Sequence, residues 1–171
     1  MKIDAHQHFW KYSKSEYSWI SDQMEILKKD FLPDDLLKEL KRIEFDGSVA
    51  VQARQNLQET RWLVDLADKN DFIKGVVGWI DLCSEESEEQ VKIFADHSKF
   101  SGVRHVLHDE PDDRFMLKDS FLSGIKMLGS YNLVYDILIF PEHLPYASEM
   151  VSHFPQQKFV LDHLAKPLIR D

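Results

Sequence analysis

Short apolar runs, each followed by a segment of helical period, recur along this chain at nearly constant spacing. After an opening run at 1–8, they occupy 47–54, 75–82, 102–108, 133–139 and 158–163. Each is almost continuously apolar until its end, as expected of a strand buried on both faces. One strand and one helix per step argue a parallel sheet with helices packed outside it.

The segments between the runs support this. Pro33-Asp34-Asp35 opens a helix with Leu36, Leu37, Leu40 and Ile43 at helical spacing. Asn56 is placed to cap the next helix with Glu59 as its reciprocal partner, and Leu63, Leu66 and Ala67 form the inner face. Ser84 precedes an acidic helix start, Glu85, Glu86, Glu88 and Glu89, which suits the positive end of a helix dipole. Phe121, Leu122, Ile125 and Leu128 mark a fourth helix, and Pro141 starts a fifth bearing Leu144, Ala147, Met150 and Val151. The stretch 9–31, with Trp10, Tyr12, Tyr17 and Trp19, has no clean period and reads as a long loop. Its aromatics suit either a binding loop or a small satellite core.

Polar residues gather at the C-terminal ends of the apolar runs: His8, Arg54, Asp81, His108 and His163. In a (β/α)8 TIM barrel the active site sits at that end. A doubly wound dinucleotide fold is the competing topology, but no Gly-rich turn follows the first run. The expectation is a single partial TIM-barrel domain over 1–171. A closed barrel usually needs roughly 250 residues, so about two strand–helix units are expected beyond Asp171, unless six units close in another way. Reading the coding sequence past Asp171 separates these cases.

Side chains at i and i+2 of a strand share a face, so His6 and His8 point together. With His163 they can hold one Zn²⁺ and leave a position open for water, or act without metal as donors to a carbonyl oxygen. Spacing does not choose between these. Arg104 has the inward parity of its strand and needs an anionic partner there, either substrate or an acid such as Asp136 or Asp81. Gln52 and Arg54 share a face near the mouth, and Arg54 suits a carboxylate or polyhydroxylated substrate unless it is an ordinary loop arginine. Asp136 lies mid-strand beside Tyr135, so one of the two faces inward. His105 has the outward parity and reads as structural, as do His97, His143 and His153 on expected helices. No nucleophile motif is present and Cys83 has no paired base, which favours attack by water.

The formal net charge of −9 argues against nucleic acid as a partner. A lone cysteine leaves no intrachain disulfide and fits a reducing, cytoplasmic compartment. No apolar run approaches the ~18 residues of a membrane span, and Asp4 and His6 interrupt the place of a signal-peptide apolar region.

Six motifs in order resemble one family. They are Asp4-Ala5-His6-Gln7-His8-Phe9-Trp10, Val51-Gln52-Ala53-Arg54-Gln55 and Val77-Gly78-Trp79-Ile80-Asp81-Leu82, then Gly102-Val103-Arg104-His105-Val106-Leu107-His108-Asp109-Glu110-Pro111-Asp112. Tyr135-Asp136-Ile137-Leu138-Ile139-Phe140-Pro141 and Leu161-Asp162-His163-Leu164-Ala165-Lys166-Pro167 complete them. The family is the amidohydrolase-related lactonases, the branch with sugar-acid lactonases of L-fuconolactone and L-rhamnonolactone type and 2-pyrone-4,6-dicarboxylate hydrolase. The resemblance implies a TIM-barrel hydrolase of sugar-acid catabolism that opens a lactone ring. His6, His8 and His163 match its active-site histidines, and Gln52, Arg54, Arg104 and Asp136 line its substrate pocket. Metal use varies in this branch, from one Zn²⁺ or other divalent ion to none, and the full ligand set of the binuclear amidohydrolases is missing here. Two departures stand out. His108 occupies a position where the sugar lactonases are expected to carry glutamine. The family's aspartate at the end of strand eight would lie beyond Asp171, so the chain by itself is expected to lack normal turnover. The alternatives are an inert barrel remnant that binds a sugar acid or self-associates into a homo-oligomer, and a metal-dependent hydrolase of another ester or amide.

Overall fold

Six parallel strands form one sheet in a computed structural model that describes residues 1–170. The strands are β1 (Ile3–Gln7), β2 (Gly47–Val51), β3 (Ile73–Gly78), β4 (Phe100–Val106), β5 (Val134–Leu138) and β6 (Phe159–Leu161). Between them lie α1 (Pro33–Arg42), α2 (Leu57–Lys69), α3 (Ser87–Lys92), α4 (Asp119–Ser130) and α5 (Leu144–Ser152). Every strand pairs with its sequence neighbours, so the sheet order is β1-β2-β3-β4-β5-β6 without a reversal. A doubly wound sheet reverses at its switch point. This one winds in a single direction, as a barrel does.

The sheet is also curled. Laid flat, six strands about 4.8 Å apart would separate β1 from β6 by about 24 Å. Yet the ring of His6 on β1 lies 4.6 Å, centre to centre, from that of His163 just after β6. The strand ends therefore converge on one mouth, while β1 and β6 do not pair with each other. The architecture is a half-barrel.

Alternation along the strands sets what lies on each face. On β4 and β5, Val103, Tyr135 and Ile137 join α2's Leu63 and α4's Phe121 and Ile125 in one continuous core between sheet and helices. His105 goes the same way, its ring stacked on Phe115 at 5.2 Å and hydrogen-bonded to Glu110 at 2.7 Å. Arg104 and Asp136, directly opposite each other in the β4–β5 register, take the inner face. Both central-strand faces are covered, but Val160 and Leu161 of the edge strand β6 are exposed.

Several boundaries differ from the sequence pattern because the polar ends of the apolar runs leave the sheet. β2 stops at Val51 rather than Arg54, and β6 at Leu161, so His163 stands off its strand. The helix α3 starts at Ser87, three residues after Ser84, whose hydroxyl instead accepts the Glu86 N–H at 3.0 Å. Ile43 closes α1 and is exposed. The stretch 9–31 is pinned by a bridge between Trp10 and Phe31 and contains a 3-10 turn at Asp22–Leu27. Trp10, Tyr17 and Ile20 form a second small core within it. No helix among the described residues is long and apolar enough to cross a membrane.

Candidate active site

β1 carries His6 to the mouth, and His8 follows just past its end. His8 Nδ1 lies 2.8 Å from the Val51 carbonyl, an acceptor, so that nitrogen carries the proton and Nε2 keeps its lone pair. Burial first, and the neighbouring Arg104 charge second, push the His8 pKa down to about 3. The ring is a neutral imidazole. Its Nε2 faces His6 Nε2 at 3.3 Å.

On the other side, His6 Nδ1 approaches Asp162 Oδ1 at 3.4 Å. Asp162 also receives Arg104 Nη1 at 3.0 Å, and Arg104 Nη1 lies 3.2 Å from His6 Nε2. The second guanidinium nitrogen donates to the Gln52 carbonyl, while Gln52 Nε2 donates to the Arg104 carbonyl at 3.3 Å. Burial alone would raise the Asp162 carboxyl, but the hydrogen bonds and charges of His6 and Arg104 outweigh it and hold the pKa below the usual carboxylate range. Asp136 shows the opposite result. Burial, then the negative charge of Asp162, push it up to about 7. Two neighbouring carboxyls thus have their affinities for a proton driven apart.

Asp162 and His163 are adjacent, and in an extended strand they would face opposite ways. Here residues 163–166 all have positive φ, between 51° and 60°, although none is glycine. Such a left-handed run is costly for L-residues and persists only where its surroundings hold it. It brings His163 against His6 while Asp162 stays paired to Arg104. That is why sequence reasoning missed Asp162. The available signal was the unbalanced inward Arg104, whose ion-pair partner is Asp162 rather than Asp136 or Asp81.

A hollow of about 210 Å³ opens beside this cluster, lined by His8, His163, Arg104, Trp19, His108 and Lys166 among others. Of the residues expected at the site, His8, His163 and Arg104 line this space, and His6 touches all three. Gln52 is buried in the network outside the lining, and Asp136 is buried beside it. Arg54 is elsewhere. With β2 ended at Val51, strand parity no longer applies, and the Glu59 carboxylate draws the backbone N–H groups of Ala53 and Arg54 towards α2. Ala53 faces the hollow, while Arg54 pairs with Glu16 at 2.6 Å and lies over the Tyr17 ring at 5.0 Å. Lys166 and Asp162 are the residues the sequence did not single out, while Trp19 comes from the aromatic stretch read as either a binding loop or a satellite core. A second hollow, about 400 Å³, lies between β1 and α1 and shares only His8 with this cluster. His97 pairs with Asp68 at 2.9 Å just after α3, and His143 is buried in a 3-10 turn ahead of α5.

The donor set fits a single divalent cation. His6, Asp162 and His163 each offer a ligand atom within 4.8 Å of the others, and His8 adds a lone pair 3.3 Å from His6 Nε2. Two nitrogens bound tetrahedrally at ~2.0–2.1 Å from zinc sit about 3.3 Å apart. A proton or a cation between those two nitrogens satisfies both, and Arg104 Nη1, 3.2 Å from His6 Nε2, is a further donor to that nitrogen. The second shell is in place for His8, which is oriented through Val51.

Comparison with known proteins identifies the family. An L-fucono-1,5-lactonase of Burkholderia multivorans is 37% identical over all of this chain, and one of Burkholderia ambifaria is 34% identical over 98% of it. The chain spans 58% of the length of each. A crystal structure of an amidohydrolase from Burkholderia multivorans with bound zinc superposes with a TM-score of 0.94 at 38% identity, covering 98% of this chain and 59% of that one. The amidohydrolase family model matches residues 3–171. With the half-barrel, the histidines at its mouth and a match over nearly its whole length, this chain belongs to the amidohydrolase family.

Proposed function

We propose that this chain carries the substrate-binding and carbonyl-polarising part of a hydrolase that opens a sugar-acid lactone by attack of water. The observation that supports this most is the clustering of His6, His8, Asp162, His163 and Arg104 at the C-terminal ends of the strands, with His8, His163 and Arg104 lining one hollow. The likeness to the two L-fucono-1,5-lactonases points to the same class of substrate.

Each residue has a role in this account. Arg104, fixed by Asp162 and Gln52, places a positive charge beside the hollow, where negative charge grows on the carbonyl oxygen as water adds. The Asp162-linked His6 and His163 orient the carbonyl, and the neutral His8, its proton held by Val51, keeps its Nε2 lone pair as an acceptor or metal ligand. Trp19 gives the hollow an apolar wall for the carbon skeleton of the sugar. His6, His8 and His163, with Asp162, would hold a single zinc or other divalent ion, which supplies Lewis-acid polarisation of the carbonyl. The general base is assigned, by the family resemblance, to an aspartate on an eighth strand, so turnover belongs to a closed barrel. The partner is a small-molecule lactone, in a cytoplasmic setting that the single free Cys83 supports.

Binding of a sugar acid without turnover is a second reading. A chimera separates the two: this chain joined to the part of the B. multivorans lactonase that it does not cover. It is expected to hydrolyse L-fucono-1,5-lactone in a pH-indicator assay. A folded chimera inert on a panel of sugar-acid lactones would exclude the hydrolase and leave the binding role.

A further inference from the structure

The mouth holds a second group of polar side chains that the account above leaves without a task. Lys166 Nζ lies 2.8 Å from His108 Nε2, and His108 Nδ1 lies 2.8 Å from Asp109 Oδ1. Only one arrangement of protons fits. An ammonium can only donate, so Nε2 of His108 accepts, and Nδ1 carries the imidazole proton and donates to Asp109. His108 is then a neutral spacer that fixes the ammonium without cancelling its charge. The Phe140 ring supports both, with its centre 5.1 Å from Nζ and 4.5 Å from the centre of the His108 ring. The lysine backbone is fixed too, because its N–H donates to the His163 carbonyl at 2.9 Å within the left-handed turn.

The charges at this corner are held apart: Asp109, which also lines the hollow, reaches Lys166 only through the His108 ring. Arg104 has Asp162 as its counter-ion. Among the described residues no carboxylate lies within 4.0 Å of Lys166 Nζ, and the nearest hydrogen-bond partner is an uncharged ring. Burial draws the lysine pKa down despite the pull of Asp109. A part-buried ammonium that lines a hollow and touches no carboxylate directly favours an anionic ligand there.

We propose that Lys166, held in place by His108 and Asp109, is a specificity-determining residue that binds the carboxylate of a sugar acid, the ring-opened product of a lactone. Inside a lactone ring the carbonyl carbon is tethered and neutral. Once the ring opens, the carboxylate carries a full charge and is free to turn towards the ammonium. The hollow therefore prefers the acid to a neutral polyol of the same skeleton, and the product competes with substrate. This rests on the sugar-acid reading of the site, but it is tested by binding and needs no turnover.

The test is a calorimetric titration of this chain with L-fuconate, the acid from L-fucono-1,5-lactone, and with L-fucitol, its neutral alditol. A charge-assisted hydrogen bond predicts that L-fuconate binds about tenfold or more tightly than L-fucitol. Lys166→Met, which keeps the stem on Phe140, is expected to abolish that preference and leave L-fucitol binding unchanged. His108→Gln, whose side-chain oxygen still accepts from the ammonium, is expected to retain most of it, and His108→Leu to lose it. Circular dichroism checks that each variant is folded. A preference that survives Lys166→Met, or a wild-type chain that takes up no L-fuconate, overturns the proposal. An inert chimera with this binding pattern intact would instead remove the proposed reaction and leave the Lys166 subsite standing.

Discussion

Asp136 and His8 sit within one network and respond to burial in opposite directions, which gives the protein's stability a dependence on pH that can be read residue by residue. The Asp136 carboxyl, pushed up to about 7, binds its proton more tightly folded than unfolded. Its contribution is complete below an unfolded pKa of about 3.9 and is lost as pH rises through 7, with a slope of at most about 1.4 kcal/mol per pH unit. His8, pushed down to about 3, contributes the reverse: stability present above pH ~6.5 and lost as pH falls towards 3. Asp136→Asn keeps the shape and removes the first term. Urea unfolding at pH 5 and pH 8 should show the variant gaining on the wild type at pH 8, and an unchanged difference between the two pH values would contradict this. At this scale the sequence was legible wherever strand parity applied. His6, His8 and the inward Arg104 follow from the period of two. Asp162 and Lys166 did not, because a left-handed turn of four non-glycine residues follows no pattern of side-chain alternation. Arg54 was misplaced for a related reason, since its strand ends three residues earlier.

Among the elements, α2 ties the end of β2 to the mouth through one side chain. Asn56 accepts the Glu59 N–H at 2.8 Å, as its place in the sequence suggested. The Glu59 carboxylate, however, does not reach back to the cap. One oxygen accepts the N–H groups of Ala53 at 2.9 Å and Arg54 at 2.6 Å, and the side chain is fully buried. Burial raises its pKa against the lowering effect of those donors. Glu59→Ala leaves two backbone donors without their acceptor and should cost about 2–4 kcal/mol in chemical denaturation. Glu59→Gln, which keeps an accepting oxygen, should cost less. Equal losses for the two would show that packing rather than hydrogen bonding sets the effect. The sequence signalled a helix here with its cap in place, but a capping pattern does not state where a buried carboxylate finds its donors.

For the whole molecule, the spacing of the apolar runs was enough to order the strands. It could not show how far the sheet curls, which follows from packing of helices along one face. Among the described residues β1 and β6 are unpaired on their outer sides, and Val160 and Leu161 of β6 and Leu164, Leu168 and Ile169 after it are exposed. Unprotected parallel edges and exposed apolar side chains promote association. Light scattering over a concentration series should show this chain forming dimers or larger species, and Leu161→Lys should shift it towards monomer. A monodisperse wild-type monomer throughout would count against the open-edge description. The central claim remains that this mouth opens a lactone, and the most direct measurement is the rate of L-fucono-1,5-lactone hydrolysis by the chimera and by its His163→Ala variant. The account predicts clear hydrolysis that falls by about a hundredfold or more when the imidazole is removed, with circular dichroism unchanged. A folded variant that retains the full rate would show that the histidines gathered at this mouth do not carry the reaction.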